Sequence, residues 1–276
     1  MLRLSRLGPH EWQFVYPDLY RELMDEFHAG CELFEEGRLI EAELAFRKVL
    51  AHMPEHLDAI HHLALVLSNQ GEDLHAYDLW QLSVVIGHMA FPPEFEHDVD
   101  RLPWLHLDNR PFLRCLYGWA LARYESEQLE EALSLFQEYL SLNPDDNQGA
   151  RSMALELLVT LGRWEDAFNL TMRYHEDILC EMAYGRALAL YKLQRDDLAT
   201  VALREAVRST PRVRRELLKK THRRPPPKWH GHIELGGAEE AWEYWRRFGS
   251  FWRDVPGALD WLREEGERLP GERGSG

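Results

Sequence analysis

Hydrophobic residues recur along most of the chain at the three- and four-residue spacing of amphipathic helices. The pattern predicts five consecutive pairs of antiparallel helices. They are placed at 17–36 with 38–52, 55–70 with 72–88, 110–126 with 127–141, 146–161 with 163–175, and 177–193 with 195–209. Because every periodic segment has the helical spacing, we expect an all-α protein with negligible strand content.

One arrangement of residues repeats in phase along these helix pairs. An alanine is followed four places later by a large side chain, often with a proline eight places after that, as in Ala42, Phe46 and Pro54. The recurring alanines are Ala42, Ala76, Ala132, Ala167 and Ala199. Their spacings are 34, 56, 35 and 32 residues, so that 56 equals a period of 34 plus an insertion of 22 residues.

Small residues keep the same phase as these alanines. Glycine stands five places before three of them, at Gly37, Gly71 and Gly162. Gly30, Ala64, Ala120 and Ala187 stand twelve places before their alanines. The pattern resembles the tetratricopeptide repeat (TPR) over about residues 23–211. The resemblance implies a right-handed superhelical array of about five helix hairpins, because one hairpin cannot bury its own apolar face.

An insertion at residues 90–110 interrupts the repeat between the second and third pairs. Three prolines prevent a long helix there, while Phe91, Phe95 and Trp104 make the segment too apolar for a free linker. Two interpretations remain open. The insertion either packs back on its own repeats or forms a lid over the concave groove.

The repeat ends at Pro211, and a different pattern follows. A basic helix at 212–221 leads into a proline-rich linker, and two further helices at 236–265 are expected to cap the array. The resulting organisation is an N-terminal extension at 1–22, the array at 23–211, the basic helix and linker at 212–235, and a helical cap and tail at 236–276.

The segment from Pro211 to Leu262 also resembles the C-terminal part of the suppressor-of-tumorigenicity-7 family. A repeat ending in proline, a charged helix, a proline-containing link and a final Gly-Ala-Leu carry this resemblance. The matching residues are Glu240, Ala241, Tyr244, Gly257, Ala258 and Leu259. The resemblance implies no catalytic residue. The membrane anchoring of its animal members does not transfer, because the sequence contains no span.

The net charge and the cysteine content reduce the number of function classes that fit the sequence. The formal net charge of −15 argues against a protein that coats nucleic acid. Residues 212–228 nevertheless carry +7, which keeps binding of nucleic acid or an acidic partner open as an alternative. The three cysteines, Cys31, Cys115 and Cys180, are expected to be reduced thiols in a cytoplasmic protein without a secretory signal.

No motif for catalysis or for a cofactor is found. Phosphate-cradling glycine loops, zinc-protease helices and nucleophile elbows are absent from the sequence. His230 and His232 could chelate a metal with help from His222, but no cysteine or nearby carboxylate completes the set. We therefore expect a protein that is not an enzyme and has no cofactor, with a metal-dependent enzyme as the least favoured alternative.

The inward positions of the first helix of each repeat are the best candidates for a binding surface. Counting along the repeat gives Phe27, Phe34, His61, Asn69, Arg114, Tyr117, Tyr124, Glu156, Tyr184, Tyr191 and Lys192. The tyrosines offer apolar area and a hydroxyl at low entropic cost, which suits recognition of a peptide. The sequence therefore predicts a cytoplasmic scaffold or adaptor that binds a protein segment in its groove.

Overall fold

The computed structural model describes residues 2–177, 179–226 and 233–268, and most of them are helical. The helices are α1 Asp18–Glu22, α2 Met24–Glu35, α3 Leu39–His52, α4 Leu57–Asn69, α5 Asp73–His88, α6 Arg110–Glu125, α7 Leu129–Leu142, α8 Ala150–Thr160, α9 Trp164–Arg173, α10 Cys180–Lys192, α11 Asp196–Ser209, α12 Pro211–Leu217, α13 Ala238–Asp254 and α14 Ala258–Glu267. The five predicted helix pairs are confirmed, although the first helix breaks at Leu23 into α1 and α2.

The repeating small residues lie where the two helices of a pair touch. All five recurring alanines, from Ala42 to Ala199, have an exposure of 0%. At Gly30, an added Cβ would come within 2.7 Å of the Phe46 ring, so only glycine allows α2 and α3 this approach. These contacts confirm the phase of the repeat and the all-α, TPR-like class of the fold.

The turn inside each pair needs one residue with a left-handed backbone. Gly37, Gly71 and Gly162 take this position with φ values of +73°, +82° and +70°. In the other two pairs, Glu127 and Gln194 occupy the same phase with φ values of 59° and 60°. The turn geometry is therefore kept even where the sequence has no glycine, at the steric cost that a side chain brings to this region.

The N-terminal extension contains a feature that the helical pattern does not predict. Strands β1 (Arg3–Arg6) and β2 (Trp12–Val15) form a short antiparallel hairpin in an otherwise helical fold. Leu4, Trp12 and Phe14 alternate with more exposed residues and are buried on one face. This period of two was a readable signal, but it covers only two short strands.

The insertion at 90–110 holds this hairpin. Asp100 is 1% exposed and accepts hydrogen bonds from the Trp12 indole at 2.8 Å and from the Glu96 amide at 3.1 Å. Asn109 is also buried, accepts from the Phe14 amide at 3.0 Å and donates to the Trp12 carbonyl at 3.0 Å. The Leu102 amide of the same segment donates to the Leu142 carbonyl of α7 at 2.7 Å, so the insertion packs on the repeats, which is the first of the two interpretations.

The chain divides into two compact units, Met1–Ala150 (unit 1) and Arg151–Gly276 (unit 2). Unit 1 contains the hairpin, the insertion and α1 to α7, and unit 2 contains the helices from α9 onward and nearly all of α8. In unit 2, α13 and α14 form the expected C-terminal helical hairpin, and Gly257 with φ +79° makes the turn between them.

Candidate functional site

In unit 1, the first helices of three repeats form one surface. Helix α4 packs against both α2 and α6. At the start of α4 and α6, the Arg114 guanidinium donates to the Asp58 carboxylate at 2.7 Å. Further along, the Trp80 indole donates to Nδ1 of His61 at 3.1 Å. We call the surface formed by the inward repeat places of α2, α4 and α6 the inner face of unit 1. These places include Cys31, Phe34, Glu35, His61, Leu65, Asn69, Arg114, Tyr117 and Tyr124.

Much of this inner face is accessible. Phe34, His61 and Leu65 are half-buried, Asn69 is exposed, and the Arg114 side chain is 31% exposed. Large half-exposed side chains beside polar groups are typical of surfaces that bind other proteins. The sequence thus placed six of its candidates on this face, from Phe34 to Tyr124.

Two aromatic candidates in unit 1 contribute to the core. Phe27 is 5% exposed and packs on the rings of Phe46 and His56. The prediction that it lines an open binding surface is therefore wrong. Tyr117 is half-buried, with its ring 5.5 Å from Phe136 and 5.8 Å from Tyr139. The inward phase is the same for both, but the closeness of α3 and α4 covers Phe27.

Three histidines on or next to the inner face, His56, His61 and His62, are held neutral. Burial lowers the pKa of His56 to about 4 and lowers the pKa of His61 well below its usual value, with neighbouring His62 as the next cause. His56 caps α4 by accepting from the Ala59 amide at 3.1 Å. These rings therefore act as hydrogen-bonding and packing groups at neutral pH, not as charges.

The cysteines of unit 1 are equally inert. Burial raises the pKa of Cys31 to about 11 and that of Cys115 to about 12. All three cysteines of the chain are free thiols. A protonated, shielded thiol is a poor nucleophile, so these positions favour packing over chemistry.

In unit 2 the corresponding inner face carries a helix of the same chain. Arg247 of α13 donates to Glu156 of α8 from Nε at 2.8 Å, and to the Ser152 carbonyl at 3.3 Å. The same guanidinium lies 3.8 Å from the Glu181 carboxylate. Arg247 was missed by the sequence reasoning, although it borders the apolar stripe of α13 that includes Phe248.

The aromatic candidates of unit 2 are packed against this C-terminal hairpin. Tyr184 is 0% exposed, with its ring 5.5 Å from Tyr244 and 6.3 Å from Trp252. Tyr191 stacks on Trp261 at 4.5 Å. Tyr184 is therefore a core residue rather than a contact for a partner, which differs from the expectation.

One opening remains beside Tyr191. A cleft of about 880 Å³ is lined by α14, by the turn before it at Val255 and Pro256, and by the residues that connect α10 and α11. Lys192 is exposed there, with Asp196 and Glu264 as carboxylate neighbours. Its lining combines charges of both signs, so it does not select a ligand of one charge.

The basic segment is largely used inside unit 2. Arg214 is 7% exposed and donates to the carbonyls of Leu262 at 3.3 Å and Arg263 at 3.1 Å. Arg212 donates to the Gly236 carbonyl at 2.8 Å. Within the basic segment, the exposed cations without an ion pair among the described residues are Arg212, Arg215, Lys220 and Arg223. The segment therefore ties the cap to the last repeat, and the charge left on its surface is smaller than +7.

Two of the histidines considered as a metal chelate, His230 and His232, lie outside the described residues. Within the part of the chain that the structure describes, no group of three or more His, Cys, Asp or Glu could hold a metal ion. None of the described helices is long and apolar enough to cross a membrane.

Comparison with known proteins gives a family. A family model described as "Transcriptional repressor TCF25" matches residues 12–272, which is nearly the whole chain. The chain belongs to the TCF25 family. The match includes the segment 211–262, so the family found there is TCF25 and the resemblance to the suppressor-of-tumorigenicity-7 family is not supported. No curated protein sequence matches the chain.

Solved structures support the fold of this TCF25-family chain. YrrB, described as a TPR protein with an unusual peptide-binding site, has a TM-score of 0.50 at 16% identity, covering 67% of this chain and 85% of YrrB. MamA has a TM-score of 0.50 at 14% identity, covering 74% of this chain and 98% of MamA. At such identities the likeness shows the fold alone.

Proposed function

We propose that this chain is a protein-interaction module of the TCF25 family, without a catalytic role of its own, and that the inner face of unit 1 receives a polypeptide partner. The supporting observation is that the inner face of unit 2 already binds a helix of this chain. There, the same kind of face, built from first helices of the repeats, binds helix α13 through Glu156 and aromatic packing. Unit 1 offers Phe34, Leu65 and Arg114 in a half-exposed state.

The family description suggests a role in transcriptional repression. For this chain we propose that such a role would be exerted through contact with another protein rather than with DNA. A formal charge of −15 repels the phosphate backbone, and Arg214 of the basic segment is buried. Whether the chain acts in the cytoplasm, as the sequence predicts, or in the nucleus can be decided by fractionation of a tagged chain.

Site-specific photo-crosslinking tests this proposal. A photoreactive phenylalanine analogue placed at Leu65 should yield discrete cross-linked proteins in cells. The same analogue at Leu74, which is 79% exposed on the outer side of α5, serves as the matched control. If Leu74 gives the same products as Leu65, or if Leu65 gives none, the inner face is not the binding surface.

The basic segment provides the rival function. If Arg215, Lys220 and Arg223 bind nucleic acid, the chain should be retained on heparin and on duplex DNA and released by salt. The triple substitution Arg215→Gln, Lys220→Gln, Arg223→Gln should then abolish retention. We expect the unmodified chain to show no such retention, because Arg214 is buried and the formal net charge of the chain is −15.

A further inference from the structure

The two units differ strongly in charge. Residues 1–150 carry 27 carboxylate and 10 basic side chains, for a formal net charge of −17. Residues 151–276 carry 20 and 22, for a net charge of +2. The acidity of the whole chain is therefore located in unit 1. Such a field raises the local concentration of cationic ligands and speeds their association.

The acidity reaches the inner face itself. The Cys31 thiol on this face has its pKa raised by burial first and then by the nearby carboxylates of Asp58 and Glu35. Arg114 pairs with Asp58 at 2.7 Å, which offsets that charge. Glu35 is exposed and makes no ion pair among the described residues. One carboxylate of the inner face is thus unpaired.

Helix ends add to this negative potential. Glu35 is the last residue of α2 and Glu125 is the last residue of α6, and neither α2 nor α4 has a basic residue in its last turn. Carboxylates at the C-terminal end of a helix lie at the negative end of its dipole, so they favour a cation nearby. Helices α4 and α6 meet near their N-terminal ends, at Asp58 and Arg114.

Unit 2 shows which kind of helix such a face accepts. Helix α13 places Arg247 beside the ring of Phe248 and inserts it between the carboxylates of Glu156 and Glu181. The ligand helix therefore combines large apolar side chains with a cation at the border of its apolar face. Unit 1 offers the complementary elements, with apolar area at Phe34 and Leu65 and a carboxylate at Glu35.

We propose that the inner face of unit 1 binds an amphipathic helix of a partner protein whose apolar face is bordered by Arg or Lys. The inference rests on the proposed function and adds the chemical class of the partner. Apolar anchors supply affinity, while the acidic surroundings select the charge of the helix and increase its association rate.

Three fluorescent helical peptides test the charge selection on the full chain. They share one apolar face and differ at the bordering positions, which are all Arg and Lys, all Gln, or all Glu. In fluorescence anisotropy at low salt, we expect the basic peptide to bind at least about tenfold more tightly than the Glu peptide. This preference should shrink at about 0.3 M salt, because exposed charges are then screened.

Matched substitutions locate the binding. Glu35→Lys and Leu65→Glu change the inner face, whereas Asp78→Lys and Leu74→Glu make the same changes on the exposed outer side of α5. We expect each substitution on the inner face to lower the affinity for the basic peptide about tenfold. Each substitution on the outer side should change this affinity little. Circular dichroism of all four variants shows whether the fold is retained.

Two outcomes would overturn the inference. Equal affinity for the three peptides, or no binding by any, removes the charge selection, and equal effects of inner and outer substitutions remove the site. If Leu65 still gives specific cross-links in cells, the proposed function survives and only the partner class fails. If the cross-links are absent as well, both fail.

Discussion

The inner faces of the two units are built by the same repeat but differ in what covers them. In unit 2, α13 lies on the face, with Tyr184 fully buried and Glu156 bound to Arg247. In unit 1, Phe34 and Leu65 stay half-exposed beside Glu35. The difference teaches that inward-facing residues of the same kind of repeat can serve stability in one unit and remain accessible for binding in the other.

Among the tests of this comparison, Tyr184→Ala has the largest expected effect on stability. The substitution leaves a cavity under α13 and removes hydrogen bonds of the hydroxyl with the Thr210 carbonyl at 2.9 Å and the Arg214 amide at 3.2 Å. We expect a loss of about 3–5 kcal/mol in the free energy of unfolding, measured by denaturant titration. Phe34→Ala in unit 1 should cost only about 1 kcal/mol, since that ring is half-exposed. Equal losses would mean that the two faces do not differ.

Acid should weaken unit 1 through its buried histidines. The folded pKa of His56 is about 4, below the value of about 6.5 in the unfolded chain. Its neutral form is favoured by folding, so this contribution is complete above about pH 6.5 and is lost as the pH falls to about 4. The expected loss is about 3 kcal/mol.

Hydrogen exchange of α4 at pH 5 and pH 7.5 measures this effect, with His56→Asn as the comparison variant. Asn can still accept from the Ala59 amide as a helix cap but does not titrate in this range. The variant should show a smaller pH dependence of protection in α4. An unchanged dependence would assign the acid sensitivity to other groups, such as His61 and His62.

Overpacking the repeat contact should affect both units alike. Ala132 in unit 1 and Ala199 in unit 2 are both 0% exposed between the helices of a pair. Ala132→Trp and Ala199→Trp should each destabilise by about 1–3 kcal/mol or more. Thermal unfolding of the two variants compares them. A normal melting temperature for either one would show that the pair contact tolerates a large side chain there.

The smallest expected effect concerns the ion pair that fixes α13. A double-mutant cycle with Glu156→Gln and Arg247→Met should give a coupling energy of about 1 kcal/mol, since both side chains are mostly buried. The pair Glu41→Gln with Arg38→Met, on the exposed side of α3 in unit 1, should show about 0.5 kcal/mol or less. Similar values for the two pairs would mean that Arg247 contributes no more than a surface charge.

The repeat could be predicted because its signal is local and recurs. Ala42, Phe46 and Gly37 each fill a position that the geometry of a helix pair requires, and the same requirement returns every 34 residues. The N-terminal hairpin was not predicted, because its two short strands are held by Asp100 and Asn109, about ninety residues away. Hydrophobic periodicity within a few neighbouring residues does not indicate contacts with residues so far away in the sequence.

The sequence by itself determined the all-α class, the five helix pairs, their turns and the C-terminal helical hairpin, since periodicity and small residues act over a few turns of chain. Only the tertiary structure decided the state of each inner position. Tyr184 and Tyr117 hold the same place in their repeats, but Tyr184 is covered by α13 and fully buried, whereas Tyr117 is half-buried. Burial depends on which distant segment packs on a face, and that is a property of the whole fold rather than of the repeat.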